Sequence, residues 1–343
     1  MGRIAVDAMG GDHAPAEIVQ GTLEAVAAEP TLEVLLVGDE ARIRPLLPGG
    51  EPPPRVKLVH AGDVIEMHDS PVEALRRKPD SSIAKAMSLV AKREADAFVS
   101  AGNTGGAVAA ATFLLPRLPN CRRGGIAVPL PSRTGHSVVM DVGANVQCKP
   151  IHLVQYAVIA SAYARTVLKI ESPRVGLLSV GGEEGKGNPL VKDVFAALKA
   201  HSGVRFVGNV EGQQIFTGDA DVIVCEGFVG NVILKAAEGL SEAFLHILLK
   251  ELDHVLGGGS EAAGRVLSDL RKRTDYAAHG GAPLLGHEGA VFISHGRSKA
   301  RAAKNAVLAA DSFVDHRVNE RITEALAALA ADAGVAAALG SEK

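Results

Sequence analysis

The sequence predicts an α/β fold, with a mainly parallel sheet covered by helices on both faces. Three observations carry this. Ten short apolar runs recur along the 343 residues with little polar alternation, the pattern of strands buried on both faces. Stretches of helical periodicity separate many of these runs, as crossover connections require. Glycine-rich turns fall at the ends of the runs, where open α/β sheets bind ligands.

RIAVDA (3–8) is the first strand, and it runs into DAMGGDHAP (7–15). There a glycine pair, Asp12 as N-cap and Pro15 in the first turn announce a helix over 16–28. EVLLVG (33–38) and RVKLVH (55–60) are strands joined through PLLPGGEPPPR (45–55), a surface loop by composition. A helix over 82–94 leads to the strand DAFVSA (96–101) and a helix over 104–115. GIAVPL (125–130) and SVVMDV (137–142) follow as strands, then a helix over 151–169. RVGLLSV (174–180), a helix over 189–200, RFVGNV (205–210) and DVIVCE (221–226) continue the alternation. A helix over 230–256, the strand AVFISH (290–295) and helical sequence over 298–331 complete it.

The chain reads as a single α/β domain over 1–340, an arrangement open to two lobes around a central cleft. Residues 240–276 stand apart, because two helical segments flank HVLGGGSEAAG (254–264), the pattern of a protruding helical hairpin. Its second segment carries Arg265, Arg271, Lys272 and Arg273. Such a row is either a solvated helix face or a docking surface for an acidic partner or anionic lipid.

Composition excludes several classes. A net charge of −3 and 3% aromatics without tryptophan give no footprint for nucleic acid. Cys121, Cys148 and Cys225 are odd in number and none forms a CxxC pair, as in a reducing cytoplasm. MGRIAVDAMGGDHAP lacks the apolar region of a secretory signal, and no apolar stretch reaches the length of a membrane span. The reading is a soluble, cytoplasmic protein, still open to peripheral contact with the inner face of the membrane.

Familiar catalytic motifs fail. GGEEGKG (181–187) is one residue short of a P-loop and lacks its Ser or Thr. No GxGxxG follows the first strand, and there is no GxSxG nucleophile elbow. His287–Glu288 opens like a zinc-protease helix, but Val291 stands where the second histidine belongs. The sequence therefore predicts neither a metal site nor a bound cofactor.

What it does contain is a set of turns suited to an anion. Gly10, Gly11, Asp12 and His13 lie in the first. Gly102, Asn103, Thr104 and Gly105 open a small-residue helix in the second, where free N–H groups suit phosphate or carboxylate. Asn145 marks the third, within DVGANVQCKP. Lys186 sits between glycines in the fourth; a surface ion pair with Glu183 or Glu184, contributing under ~1 kcal/mol, is the alternative to ligand contact. Gly230 and Asn231 stand at a helix start in the fifth, where Asn231 also suits a plain cap. HGGAPLLG (279–286) and SHGRS (294–298) form the sixth; His13, His279, His287 and His295 lie near predicted loops, with no proton-transfer role readable from spacing. Together the turns describe a crevice that binds phosphate and stabilises developing negative charge.

IAVDAMGGDHAP, DSPVEALRRKPDSSI, VSAGNTGG, VVMDVGANVQCKP, LLSVGGEEGKGNPLVK, FTGDADVIVCEGFVGNVILK, DYAAHGGAPLLGHEG and HGRSKARAAKNAV also carry a resemblance. In this order, over residues 4–307, they resemble the bacterial phosphate acyltransferases, which pass an acyl chain from acyl carrier protein to inorganic phosphate. The resemblance implies a fold akin to phosphotransacetylases and isopropylmalate dehydrogenases, and a homodimer. It also implies a place early in phospholipid synthesis, with acyl phosphate handed to a membrane glycerol-3-phosphate acyltransferase at the inner face of the membrane. Lys186 and Asn231 match motif positions associated with the family's active site, and SAGNTGG and DAMGGDHAP match its ligand-lining loops. The family's hairpin tip is amphipathic, whereas GGGSEAAG (257–264) offers little apolar surface to insert.

The chemistry implied suits these residues. Phosphate is an anionic nucleophile and a thiolate leaves readily, so positioning and oxyanion stabilisation are the main requirements. An acyl-CoA:phosphate acyltransferase of the phosphotransacetylase type is the nearest alternative, and a non-catalytic phosphate-ligand sensor or scaffold is the alternative of another class.

Overall fold

The computed structural model describes residues 2–256 and 280–340. Its strands are β1 (Arg3–Asp7), β2 (Glu33–Gly38), β3 (Val56–His60), β4 (Ala97–Ser100), β5 (Gly125–Ser132), β6 (Gly135–Met140), β7 (Arg174–Leu178), β8 (Arg205–Val210), β9 (Val222–Val224), β10 (Ala282–Leu285) and β11 (Ala290–Ile293). Among the described residues they form one sheet in the order β3-β2-β1-β4-β11-β10-β5-β6-β9-β7-β8. The sheet consists of two parallel blocks. β3, β2, β1, β4 and β11 run together, as do β6, β9, β7 and β8. Between the blocks, β11–β10, β10–β5 and β5–β6 are antiparallel pairings. Three reversals in succession leave the blocks pointing in opposite directions, and the register sets Ser100, at the carboxyl end of β4, level with Val139 and Ile223, one residue from the carboxyl ends of β6 and β9.

Alternation along the strands sends side chains into two separate layers. Ile4, Val6, Val99, Val138, Met140 and Val224 pack in one core with the helices Ala16–Ala28, Pro150–Thr166 and Ala300–Asp315. Ala5, Phe98, Val139 and Ile223 pack in the other, against the helices Ser82–Ala91 and Thr104–Leu114. Because both faces are covered, the strands read as unbroken apolar runs.

Four sequence expectations are corrected. HGGAPLLG contains a strand, β10, rather than only a turn: Gly281 and Gly286 (φ +85° and +101°) bracket APLL, and Pro283 disguised it as a non-strand. The stretch 298–331 is two helices, Ala300–Asp315 and Val318–Ala330, separated at Arg317, whose φ of 54° is left-handed. Asp12 is not an N-cap; its N–H donates to the Gly296 carbonyl at 2.8 Å and the helix starts only at Ala16. The helix expected from 230 starts at Gly227, so Asn231 lies inside it and is no cap. That helix, Gly227–Leu256, covers the part of the expected hairpin that lies within the described residues. Residues 257–276, with Arg265, Arg271, Lys272 and Arg273, and also His279, lie outside the described residues.

Candidate active site

The glycine turns after β1 and β4 are organised by a buried carboxylate. Asp7, at the end of β1, accepts the Met9 N–H at 3.1 Å and the Ser100 hydroxyl at 2.6 Å. Ser100 Oγ in turn accepts the Gly102 N–H at 3.0 Å, so the loops after β1 and β4 share one network. The two backbones touch. A Cβ on Gly10 would lie 2.6 Å from the Gly102 nitrogen and closer still to Asp7, which only glycine avoids. Burial pushes the Asp7 carboxyl above its ordinary range, against the hydrogen bonds from Ser100 and from the Met9 and Gly10 amides. Asp12 and His13 are exposed beside this pair of loops.

Asn103 caps the Thr104–Leu114 helix, its Oδ1 accepting the Gly106 N–H at 2.9 Å. Its Nδ2 donates to the carbonyls of Glu66, Met67 and Asp69 at 3.0–3.2 Å. The side chain is thereby engaged on both sides and staples the 66–69 loop to the helix start. What this turn presents to a ligand is backbone N–H at Thr104 and Gly105, because the first helical N–H groups lack intrahelical acceptors.

A second buried carboxylate repeats the device. Asp141, just beyond β6, accepts N–H groups of Ile126, Gly143, Ala144 and Asn145 at 2.7–3.1 Å. The Asn145 Nδ2 donates to Asp141, to the Gly124 carbonyl and to the Tyr156 hydroxyl at 2.7–3.1 Å. Asn145 therefore ties loop to core; its amide is not aimed at a ligand. Its carbonyl accepts the Gly227 N–H at 2.8 Å, joining this loop to the next helix.

Glu226 caps that helix, accepting the N–H groups of Phe228 and Val229 at 2.8 and 3.3 Å. Gly230 passes so close to the Asp141 carbonyl that any side chain there would collide with it. Asn231 is exposed, beside Gly143, and its amide makes no hydrogen bond within the described residues. With capping removed as an explanation, the amide is free to meet a ligand.

Lys186 is exposed on the loop after β7. Its N–H donates to the Glu183 carbonyl at 3.0 Å, and its stem lies over Gly181, where a Cβ would be 3.2 Å from Lys186 Cγ. The alternative ion pair is not made: Glu184 pairs with Lys199 at 2.9 Å. Lys186 has no acidic partner among the described residues.

Thr104 and Asn231, from opposite halves of the sheet, line one cavity of about 170 Å³. Its polar lining adds Lys235, Glu238, Ser294 and His295, and its apolar lining includes Ile126, Val128, Val142 and Ile293. Lys186 is not among the lining residues. Lys235 Nζ lies 2.9 Å from Glu238. His295 Nδ1 accepts the Arg297 N–H at 3.1 Å, which places the proton of the neutral ring on Nε2. Burial, aided by Lys235 and Arg297 and opposed by Glu238 and Asp12, holds the His295 pKa below the usual imidazole value. Three larger hollows, of about 830, 690 and 420 Å³, contain none of the candidate ligand-binding residues named from the sequence. Among the described residues no group of three or more His, Cys, Asp or Glu side chains is arranged to hold a metal.

Sequence reasoning missed Lys235 and Glu238, whereas Ser294 falls in the SHGRS stretch of the sixth turn. The signal that finds the first is helical spacing: Lys235 follows Asn231 by four residues, on the same face. It also missed Asp7 and Asp141 as organisers, although both stand at a strand end before a glycine turn.

Known structures share this architecture. A phosphotransacetylase from Streptococcus pyogenes superposes with a TM-score of 0.58 at 16% identity, covering 91% of this chain and 94% of its own. A branched-chain phosphotransacylase from Enterococcus faecalis gives 0.55 at 17% identity, covering 92% and 100%. At that identity the likeness shows the fold, which is of the phosphotransacetylase type. The sequence is more specific. Residues 2–321 match the family described as "Fatty acid synthesis protein". Phosphate acyltransferases of Pelotomaculum thermopropionicum and Desulfitobacterium hafniense are each 47% identical, the first over 94% of this chain and 95% of its own length, the second over 95% and 98%. The chain belongs to the phosphate acyltransferase family and is an enzyme of that class.

Proposed function

We propose that this enzyme moves an acyl group from the thioester of acyl carrier protein to inorganic phosphate. A phosphate oxygen attacks the thioester carbonyl carbon, the C–S bond breaks, and the thiolate leaves. The proton of hydrogen phosphate ends on the thiol, so the products are acyl phosphate and free carrier protein with no net proton change. The observation that carries this reading is the cavity shared by Thr104 and Asn231, whose lining combines polar groups for an anion with apolar side chains for the first methylenes of a chain.

In this reading Asn231 and the first N–H groups of the Thr104–Leu114 helix hold phosphate or the tetrahedral oxyanion. Gly10, Gly11, Asp12 and His13 shape the adjoining wall. Lys186, unpaired on its glycine-flanked loop, meets the substrate anion from the solvent side. The product, an activated acyl group, serves a glycerol-3-phosphate acyltransferase at the membrane and so phospholipid synthesis. The enzyme itself works in the cytoplasm; no single helix among the described residues is long and apolar enough to cross a membrane. A homodimer is part of the proposal. It is supported by Leu240, Phe244 and Ile247, which are 72%, 61% and 57% exposed along one side of the Gly227–Leu256 helix.

The test is to mix the protein with acyl carrier thioester and phosphate and trap acyl phosphate with hydroxylamine. Hydroxamate formation that requires phosphate supports the proposal. Activity with acyl-CoA but not with the carrier thioester supports the phosphotransacetylase-type alternative, and phosphate retention without any acyl transfer supports a sensor or scaffold.

A further inference from the structure

We infer that Lys235 is the inner cation of the site and binds the phosphate that attacks the thioester. This rests on the reading of the cavity as the place of acyl transfer. Three observations carry it. Lys235 is the only Lys or Arg among the described residues that line the cavity. It stands four residues after Asn231, so the amide and the ammonium project from one face of the same helix. Thr104, whose helix presents its first N–H groups, lines the same cavity. An anion seated there would meet an ammonium and an amide from one half of the sheet and backbone N–H groups from the other, a charge-assisted arrangement suited to phosphate.

The surroundings of Lys235 fit such a role. Its one ion-pair partner among the described residues, Glu238, is 14% exposed while the lysine side chain is 53% exposed, so the acid is fixed and the ammonium retains open directions. An ammonium carries three donors, and a single carboxylate contact leaves capacity for phosphate oxygens. His295, Asp12 and Arg297 are the other titratable groups coupled to this polar lining. A surface ion pair alone is the competing account, but it does not explain why lysine and glutamate both line a cavity that reaches the Thr104 helix start.

Lys186, exposed and outside the cavity lining, meets the anion from the solvent side, whereas Lys235 holds it from within, and phosphate affinity tests this inner contact. Lys235→Met should raise the KM for phosphate about 10- to 100-fold, the range for losing one charged hydrogen bond. The KM for the acyl donor should change less than about twofold, and Lys235→Arg, which keeps the charge, should recover part of the loss. Glu238→Gln, which removes the competing anion, should lower the phosphate KM. Thermal unfolding of each variant checks that the fold is intact. Unchanged phosphate KM in folded Lys235→Met overturns the inference, as does an equal rise in both KM values. Inorganic phosphate binding, followed by calorimetry without any acyl donor, keeps the two readings distinct. If wild type binds phosphate, Lys235→Met does not, and no carrier thioester is turned over, the lysine assignment stands and the carrier proposal fails. If both bind phosphate equally, the lysine assignment fails.

Discussion

Asp7 Oδ2 and Ser100 Oγ lie 2.6 Å apart, and through them the turn after β1 is bonded to the turn after β4. The hydroxyl donates to the carboxylate and accepts the Gly102 N–H, so one buried pair determines where two glycine loops sit. Ser100→Ala removes the donor to a buried carboxylate and the acceptor of a loop N–H together. We expect a loss of about 1–3 kcal/mol of stability, measured by denaturant unfolding, and a fall in kcat because the Thr104 helix start shifts.

Asn231→Ala should leave the fold intact, since the amide makes no bond within the described residues. Its kcat should fall by about 10²–10³, the effect of removing one preorganised oxyanion donor. Steady-state kinetics on the folded variant check this.

Asn145 is expected to behave in the opposite way. Its amide holds Asp141, Gly124 and Tyr156, so Asn145→Ala leaves buried partners unsatisfied. The expected cost is about 1–3 kcal/mol in unfolding free energy, with any loss of activity following the loss of folded protein.

Both contrasts show what was legible in the sequence. The strand–helix alternation and the turns were readable because apolar runs and glycines are local signals. Which asparagine faces a ligand was not, because that depends on partners distant in the chain: Asn103 is held by the 66–69 loop, Asn145 by Gly124 and Tyr156, while Asn231 has none within the described residues. The cap that frees Asn231 is Glu226, one turn earlier, and missing that start also hid Lys235. The break at Arg317 had no signal at all, since a left-handed arginine leaves no mark in composition. β10 was obscured by its proline.

His287 should make stability depend on pH. Burial, with Arg117 nearby, lowers its pKa to about 4, and its Nδ1 has no hydrogen-bond partner among the described residues. Protonation is thus easier in the unfolded chain, whose imidazole titrates near ~6.5. Between about pH 6.5 and 4 the unfolded state binds the extra proton, so stability falls as pH falls, by up to about 3 kcal/mol. Urea unfolding across this range should show that slope in wild type and a weaker one in His287→Gln.

Lys186→Met should give a folded protein with little activity, because Glu184 already pairs with Lys199 and the substitution breaks no ion pair. Circular dichroism and the hydroxamate assay together check it; near-normal turnover would remove Lys186 from the mechanism.

The most direct measurement is a crystal structure of the protein grown with inorganic phosphate. The account places the anion between the Thr104 helix start, Asn231 and Lys235, beside Ile126 and Val128. Phosphate found instead in the larger hollow beside Arg3 and Arg317, with this cavity holding only water, would contradict it.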